Sequence, residues 1–75
     1  MTLDKHIIQG LSAFTTKTLP SGEFEKRMIS AGYYEVGSAP AQSGRMKVWW
    51  SHDTYPRLES IYSFDRKVVI TAYHV

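Results

Sequence analysis

The sequence predicts an α+β fold in which two N-terminal helices pack on a three- to four-stranded antiparallel sheet. Apolar residues recur at helical spacing in the first part of the chain, whereas the second half alternates short β-type runs with turns. Helices followed by strands indicate an α+β architecture with the helices on one face of the sheet. The length of 75 residues is that of one domain, so we expect residues 1–75 to fold as a single unit.

The first helix is predicted over residues 3–14, in the segment TLDKHIIQGLSAF. Its apolar side chains lie at near-helical spacing, and Thr2 can cap its N-terminus. These apolar side chains are Leu3, Ile7, Ile8, Leu11 and Phe14. Gly10 weakens the prediction, because glycine inside a helix costs about 1 kcal/mol relative to alanine.

The second helix is predicted in the segment PSGEFEKRMISAG. Ser21 can cap its N-terminus, and Gly32 can end it. Phe24, Met28 and Ile29 form a stripe that we expect to face the core.

Strands are predicted in YYEV at residues 33–36, in MKVWWS at 46–51, and in the two runs of the closing segment RLESIYSFDRKVVITAYHV. The segment GSAPAQSGR at 37–45 is rich in glycine, proline and serine, so we expect a mobile loop there.

The closing segment predicts a hairpin whose two ends carry an arginine and a histidine. A symmetric turn centred on residues 65–66 places Ser63 opposite Val68 and, with the same register, Arg57 opposite His74. Opposed side chains share one face of a sheet, so a guanidinium and an imidazole would lie together. Such a pair can bind a phosphate and protonate a departing alkoxide. Two solvated cationic side chains at the end of a sheet are the other interpretation of this pair.

The same segment, preceded by KVWWS, resembles the C-terminal hairpin of the RelE/YoeB-type mRNA interferases, a family of small bacterial toxins. The resemblance implies that Arg57 contacts the scissile phosphate, that His74 is the general acid and that Lys47 is a further basic residue of the site. It gives no position for the acidic residue, for which Glu59 and Glu35 are the candidates. A weaker resemblance to HicA-type interferases lies in SGEFEKRMISAGYYEV, without that family's histidine signature.

RNA contacts are expected from Trp50, Tyr73 and Arg45, because aromatic rings stack on bases and basic side chains bind phosphates. Trp49 and Trp50 are adjacent in a strand and must point to opposite faces, so one is exposed and the other is in the core. His52 and His6 are expected to be a solvated turn residue and a structural residue. The net charge is only +2, and it supports a polyanionic partner weakly.

Two functions of different classes follow from these observations. The first is a toxin-like endoribonuclease that uses acid–base chemistry without a metal or another cofactor, with RNA as substrate and a protein antitoxin or inhibitor as partner. The second is a non-catalytic binding module of a phage or mobile element that engages a host protein. The chain has no cysteine, no apolar run near the roughly 18 residues of a membrane span and no signal-peptide pattern. We therefore expect a cytoplasmic protein that does not contact the membrane.

Overall fold

The computed structural model describes residues 2–75 and differs from the predicted fold. Within these residues it contains one α-helix and one five-stranded antiparallel sheet, not two helices on three or four strands. The elements are a 3-10 turn (Leu3–Lys5), β1 (Leu19–Pro20), α1 (Ser21–Ser30), β2 (Tyr34–Pro40), a second 3-10 turn (Gln42–Gly44), β3 (Met46–Ser51), β4 (Leu58–Tyr62) and β5 (Val68–His74). The order of the strands in the sheet is β1-β5-β4-β3-β2.

The core lies between α1 and one face of the sheet. The ring of Phe24 in α1 meets the rings of Trp50 and Tyr62 edge-on, with centroids 6.2 and 6.3 Å apart. Other buried residues complete this core: Leu3, Ile8, Phe14, Leu19, Met28, Tyr33, Val48, Leu58, Val69 and Ala72. We call this side of the sheet the helix face and the opposite side the outer face.

Helix α1 confirms the second predicted helix. Phe24 and Met28 are fully buried, but Ile29 is 64% exposed and does not belong to the core stripe. Ser21 is the first residue of α1 and not its cap; its backbone amide donates to the carbonyl of Lys67, which directly precedes β5. Among residues 2–75, no helix is both long enough and apolar enough to cross a membrane.

Gly32 follows α1 with a φ of +94°, a left-handed conformation that ends the helix as predicted. A Cβ atom at this position would lie 2.8 Å from Nε2 of His52. His52 itself is held in place, because Nε2 bonds to the carbonyl of Ala31 and Nδ1 accepts from the amide of Thr54. It is therefore an anchor for the end of α1, and not the solvated turn residue that we predicted.

The predicted helix over residues 3–14 is wrong. After the first 3-10 turn the chain is irregular, and Gly10 adopts a φ of +91°. Side chains from distant elements bind the backbone here: the Gln9 amide donates to Nε2 of His74, and the Gln9 carbonyl accepts from the hydroxyl of Tyr33. These tertiary hydrogen bonds replace the bonds of a helix that is too short and too glycine-interrupted to be stable by itself.

The predicted loop over 37–45 begins later than expected, because residues 37–40 belong to β2. Strand β2 continues to Pro40, which lies opposite Met46 at the start of β3. Only residues 41–45 connect the two strands, and the amide of Ala41 donates to the carbonyl of Arg45 to close the turn. The mobility that we expect remains a prediction for this shorter connection.

The register of the β4–β5 hairpin agrees with the prediction only beside its turn. The amide of Ser63 donates to the carbonyl of Val68, as the symmetric turn requires. Tyr62 is opposite Val69, but Ile61 is opposite Thr71, so an extra residue, Ile70, forms a β-bulge in β5. Beyond the bulge the register differs by one from the predicted one.

Candidate functional site on the outer face

The outer face brings together four of the side chains that the sequence indicated: Arg57, Lys47, Glu59 and Tyr73. In the observed register Glu59 lies between Trp49 on β3 and Tyr73 on β5. Because the side chains of a strand alternate between faces, Lys47 shares this face with Trp49. Residue 57 precedes the buried Leu58, and its side chain reaches the same face.

Glu59 is the centre of this group. Trp49 donates its indole Nε1–H to Oε1 at 2.9 Å, and Tyr73 donates its hydroxyl to Oε2. Partial burial opposes ionisation, but these two hydrogen bonds and the charge of Lys47 outweigh it, so the pKa of Glu59 is lowered. The carboxylate is therefore ionised at neutral pH, and each of its oxygens accepts one hydrogen bond.

Tyr73 is the neutral partner of this carboxylate. Its hydrogen bond to Glu59, together with partial burial and the negative charge of Glu59, raises the pKa of Tyr73 to about 12. The phenol therefore keeps its proton at neutral pH and remains a hydrogen-bond donor. This hydroxyl donor fixes the orientation of the carboxylate on the sheet.

Arg57 covers the exposed side of Trp49. Its guanidinium carbon is 5.7 Å from the centroid of the Trp49 ring, within the range of a cation–π contact. The backbone carbonyl of Arg57 accepts from the amide of Val75, which fixes the start of β4 against the end of β5. The residue is exposed, so its guanidinium can bind a phosphate bidentately.

A cleft of about 560 Å³ adjoins Lys47 at the turn between β2 and β3. Its walls are formed by Pro40, Ala41, Gln42, Arg45, Lys47 and Ile61. Lys47 shares the outer face with Trp49, which lies opposite Glu59, so the cleft and the carboxylate lie on the same face of the sheet. The two cationic side chains of the cleft, Arg45 and Lys47, give it the charge that an anionic group requires.

His74 does not belong to this group, and the predicted pairing with Arg57 is wrong. The bulge places His74 opposite the buried Leu58, on the helix face. Its Nε2 accepts from the Gln9 amide at 3.0 Å, and its Nδ1 lies 3.1 Å from the carbonyl of Pro56. Both ring nitrogens are thus used by backbone groups, which gives His74 a structural role.

Two further predicted site residues lie away from the outer face. Trp50 is only 2% exposed, and its indole donates to the hydroxyl of Ser60 in the core, so it is not available to stack on a base. Glu35 is exposed on the edge strand β2, opposite Trp50. Opposed residues share a face of the sheet, so Glu35 lies on the same face as the buried Trp50, the helix face.

Trp50 was the predicted base-stacking tryptophan, but Trp49 is the one on the outer face. The pattern contained a signal, because Trp50 alternates with the apolar Val48 whereas Trp49 alternates with Lys47 and Ser51. Thr71 also lies on the outer face, and nothing in the sequence pattern marked it as a residue of the site. Within residues 2–75 no three His, Asp or Glu side chains cluster closely enough to hold a metal ion.

Comparison with known proteins found no relative of this chain. The chain matches no protein-family model, no curated protein and no solved structure. The resemblance to RelE/YoeB-type interferases therefore remains a prediction from the closing segment of the sequence.

Proposed function

We propose that the outer face binds RNA and cleaves it by acid–base chemistry that requires no metal. One observation carries the proposal: an ionised carboxylate, Glu59, is oriented by two hydrogen bonds between the cationic side chains Arg57 and Lys47. A carboxylate in this setting can accept a proton from an alcohol, and the cations can stabilise a phosphorane-like transition state. The resemblance of the closing segment to mRNA interferases points to the same substrate.

In the proposed reaction Glu59 takes the proton of a ribose 2′-hydroxyl. The 2′-oxygen then bonds to the adjacent phosphorus, the bond from phosphorus to the 5′-oxygen breaks, and the leaving oxygen receives a proton. The products are a 2′,3′-cyclic phosphate and a 5′-hydroxyl. Each carboxylate oxygen has two acceptor positions, so the bonds from Trp49 and Tyr73 leave room for the substrate.

The cationic side chains contact different parts of the RNA backbone. Arg57, exposed above Trp49, can take the scissile phosphate bidentately, and Lys47 can neutralise the charge that develops on it. The cleft beside Lys47 suits the neighbouring phosphate, with Arg45 at its rim. A toxin of this kind would need a protein inhibitor in its host cell.

The test is cleavage of a single-stranded RNA by the purified chain in the presence of EDTA. Glu59→Gln keeps the shape of the side chain but cannot accept the proton, and we expect a rate loss of about 10²–10⁴. Arg57→Ala should reduce the rate by a similar order, because it removes a donor to the developing charge. Product analysis should find the cyclic phosphate.

Arg66→Ala is the matched control. Arg66 is also exposed on this hairpin and also lies over an aromatic ring, with its guanidinium carbon 5.9 Å from the centroid of Tyr62, but it is at the turn. Its replacement should leave cleavage unchanged. Equal losses in Arg57→Ala and Arg66→Ala would attribute the effect to net charge and contradict the assigned site.

A protein-binding module is the second candidate, and the edge strand β2 favours it. Tyr34 and Val36 are 51% and 45% exposed there, on a strand that pairs with β3 on one side only. An unpaired edge with apolar side chains can accept a strand from another protein. If this is the function, Val36→Lys abolishes the effect of the expressed chain on bacterial growth, whereas Glu59→Gln does not.

A further inference from the structure

Phe64 is an aromatic residue whose ring lies in the solvent. It belongs to the turn at residues 63–67, between β4 and β5, and it is 78% exposed. Among the large apolar residues of the described part of the chain, no other is as exposed. A ring in this position buries almost no surface against the core, so the stability of the fold does not explain its presence.

The turn that carries Phe64 is fixed by hydrogen bonds on both sides of the residue. The hydroxyl of Ser63 donates to the carboxylate of Asp65 at 2.7 Å and accepts from the amide of Val68 at 3.2 Å. The same carboxylate accepts from the amide of Lys67 at 3.1 Å. These bonds to Ser63 and Lys67 lower the pKa of Asp65, so it stays an ionised acceptor at neutral pH. A ring on a fixed turn loses little conformational freedom when it binds a ligand.

This turn lies beside the cationic cleft of the outer face. The first residue of β3 pairs with the last residue of β4, so the connection at 41–45 and the turn at 63–67 are at the same end of the sheet. A Cβ atom at Gly44 would lie 3.8 Å from the Cβ of Phe64. The connection also supplies Arg45 to the wall of the cleft. Phe64 is therefore adjacent to a cleft that can hold an anionic group.

The carboxylate, the cleft and the ring follow one another along β4. Glu59 is the proposed base, Ile61 lines the cleft opposite Lys47, and Phe64 follows in the turn. Five residues separate the positions of Glu59 and Phe64, a distance of about 17 Å along an extended strand. An RNA strand that passes Glu59 and continues in this direction meets the cleft first and then the ring. Cationic grooves that end on aromatic rings are typical of surfaces that bind single-stranded nucleic acid.

We propose that Phe64 stacks on a base of single-stranded RNA, outside the nucleotides that flank the scissile phosphate. This role rests on the proposed function. Arg45 and Lys47 hold the intervening phosphate in the cleft, and Phe64 holds a base beyond it. Every base has a face that can stack, so the contact adds affinity without selecting a sequence. Arg66 lies outside this path, because its guanidinium covers the ring of Tyr62 on the helix face.

The first experiment measures the Kd of a 2′-O-methyl octanucleotide, which binds but cannot be cleaved. Phe64→Ala should raise Kd about 5- to 150-fold, which corresponds to the 1–3 kcal/mol typical of one stacked base. Phe64→Leu should bind as weakly as the alanine variant, whereas Phe64→Tyr should bind like the parent. Ile29→Ala is the matched control, because Ile29 is 64% exposed on α1, and its Kd should not change. An unchanged Kd in Phe64→Ala, or parental affinity in Phe64→Leu, would overturn the stacking role.

The second experiment compares the cleavage of two RNA substrates in EDTA. A dinucleotide has a single phosphate and cannot extend from Glu59 to Phe64, whereas an octanucleotide can. Phe64→Ala should therefore lower kcat/KM for the octanucleotide by the factor seen in binding and leave that of the dinucleotide unchanged. Equal losses on both substrates would contradict the proposal.

The two proposals fail in different ways. If the parent cleaves the octanucleotide and Phe64→Ala binds and cleaves it equally well, the role of Phe64 fails and the proposed function stands. If the octanucleotide binds through Phe64 but the parent cleaves neither substrate, the proposed reaction fails and the stacking role stands. If the parent does not bind the octanucleotide, both are wrong.

Discussion

Two buried hydroxyl groups on the sheet, those of Ser60 and Thr71, allow a direct test of the hydrogen bonding described above. Ser60 is fully buried, donates to the carbonyl of Val48 at 2.8 Å and accepts from the indole of Trp50 at 3.1 Å. Thr71 is equally inaccessible, but its hydroxyl has no partner among the described residues. Opposite effects on stability are therefore expected when the two hydroxyls are removed.

Ser60→Ala leaves the Trp50 indole buried without an acceptor, which costs about 1–3 kcal/mol. For a domain of this size each kcal/mol corresponds to about 4–8 °C, so Tm should fall by roughly 4–24 °C. Thr71→Val replaces the unpartnered hydroxyl with a methyl group of nearly the same shape. It should gain on the order of 1 kcal/mol and raise Tm by about 4–8 °C.

Calorimetry and urea unfolding of the two variants and the parent give the comparison. A loss of stability in Thr71→Val as large as that in Ser60→Ala would refute the reasoning, because it would mean that the Thr71 hydroxyl is satisfied. If Thr71→Val is more stable and cleaves RNA more slowly, the unpartnered hydroxyl is retained for the site at a cost in stability.

Three further predictions concern the backbone, the carboxylate and the bulge. Gly32→Ala should lower Tm, because the backbone there has a φ of +94° and the new Cβ would lie 2.8 Å from an imidazole nitrogen. Gly22→Ala is the control, because its Cβ would meet nothing within 4 Å in α1, and it should raise Tm slightly. The pKa of Glu59 is lower in the folded chain than its ordinary value of 4.5, so its ionisation stabilises the fold at pH values above 4.5. This stabilisation is lost as the pH falls through the pKa of the folded state. Glu59→Gln should therefore flatten the acid limb of a plot of unfolding free energy, measured in urea, against pH. Deletion of Ile70 removes the bulge but keeps the residues after it in register, so circular dichroism should record a folded chain, and an unfolded one would contradict the assignment of Ile70 as the extra residue.

The sequence contained strong local signals for part of the fold. Phe24 and Met28 at helical spacing, with Gly32 beyond them, were sufficient to predict α1. Polar and apolar alternation was likewise sufficient for β3. The N-terminal segment had a helical pattern of its own, yet the hydrogen bonds that decide its conformation come from Tyr33 and His74, far along the chain. Local periodicity contains no information about such partners.

The outer-face site was predictable in its members but not in its geometry. Arg57, Lys47, Glu59 and Tyr73 were all singled out from the sequence, and alternation alone gives Arg57 and Glu59 a common face. The position of the histidine depended on a register, and one bulged residue reverses the face of every side chain after it. Ile70 is an ordinary β-branched residue in an apolar run, so nothing in the pattern marked it as the extra one.

The bulge at Ile70 sets the position of His74 and, through Gln9, that of His6. By turning His74 to the helix face, it places the imidazole where Nε2 receives the Gln9 amide, and so it fixes the N-terminal segment against β5. Only two residues separate Gln9 from His6, a span of about 11 Å at most. The anchoring of Gln9 therefore keeps His6 near the end of β5, where its ring meets Tyr73. The bulge that turns His74 to the helix face therefore also keeps the His6 ring against Tyr73.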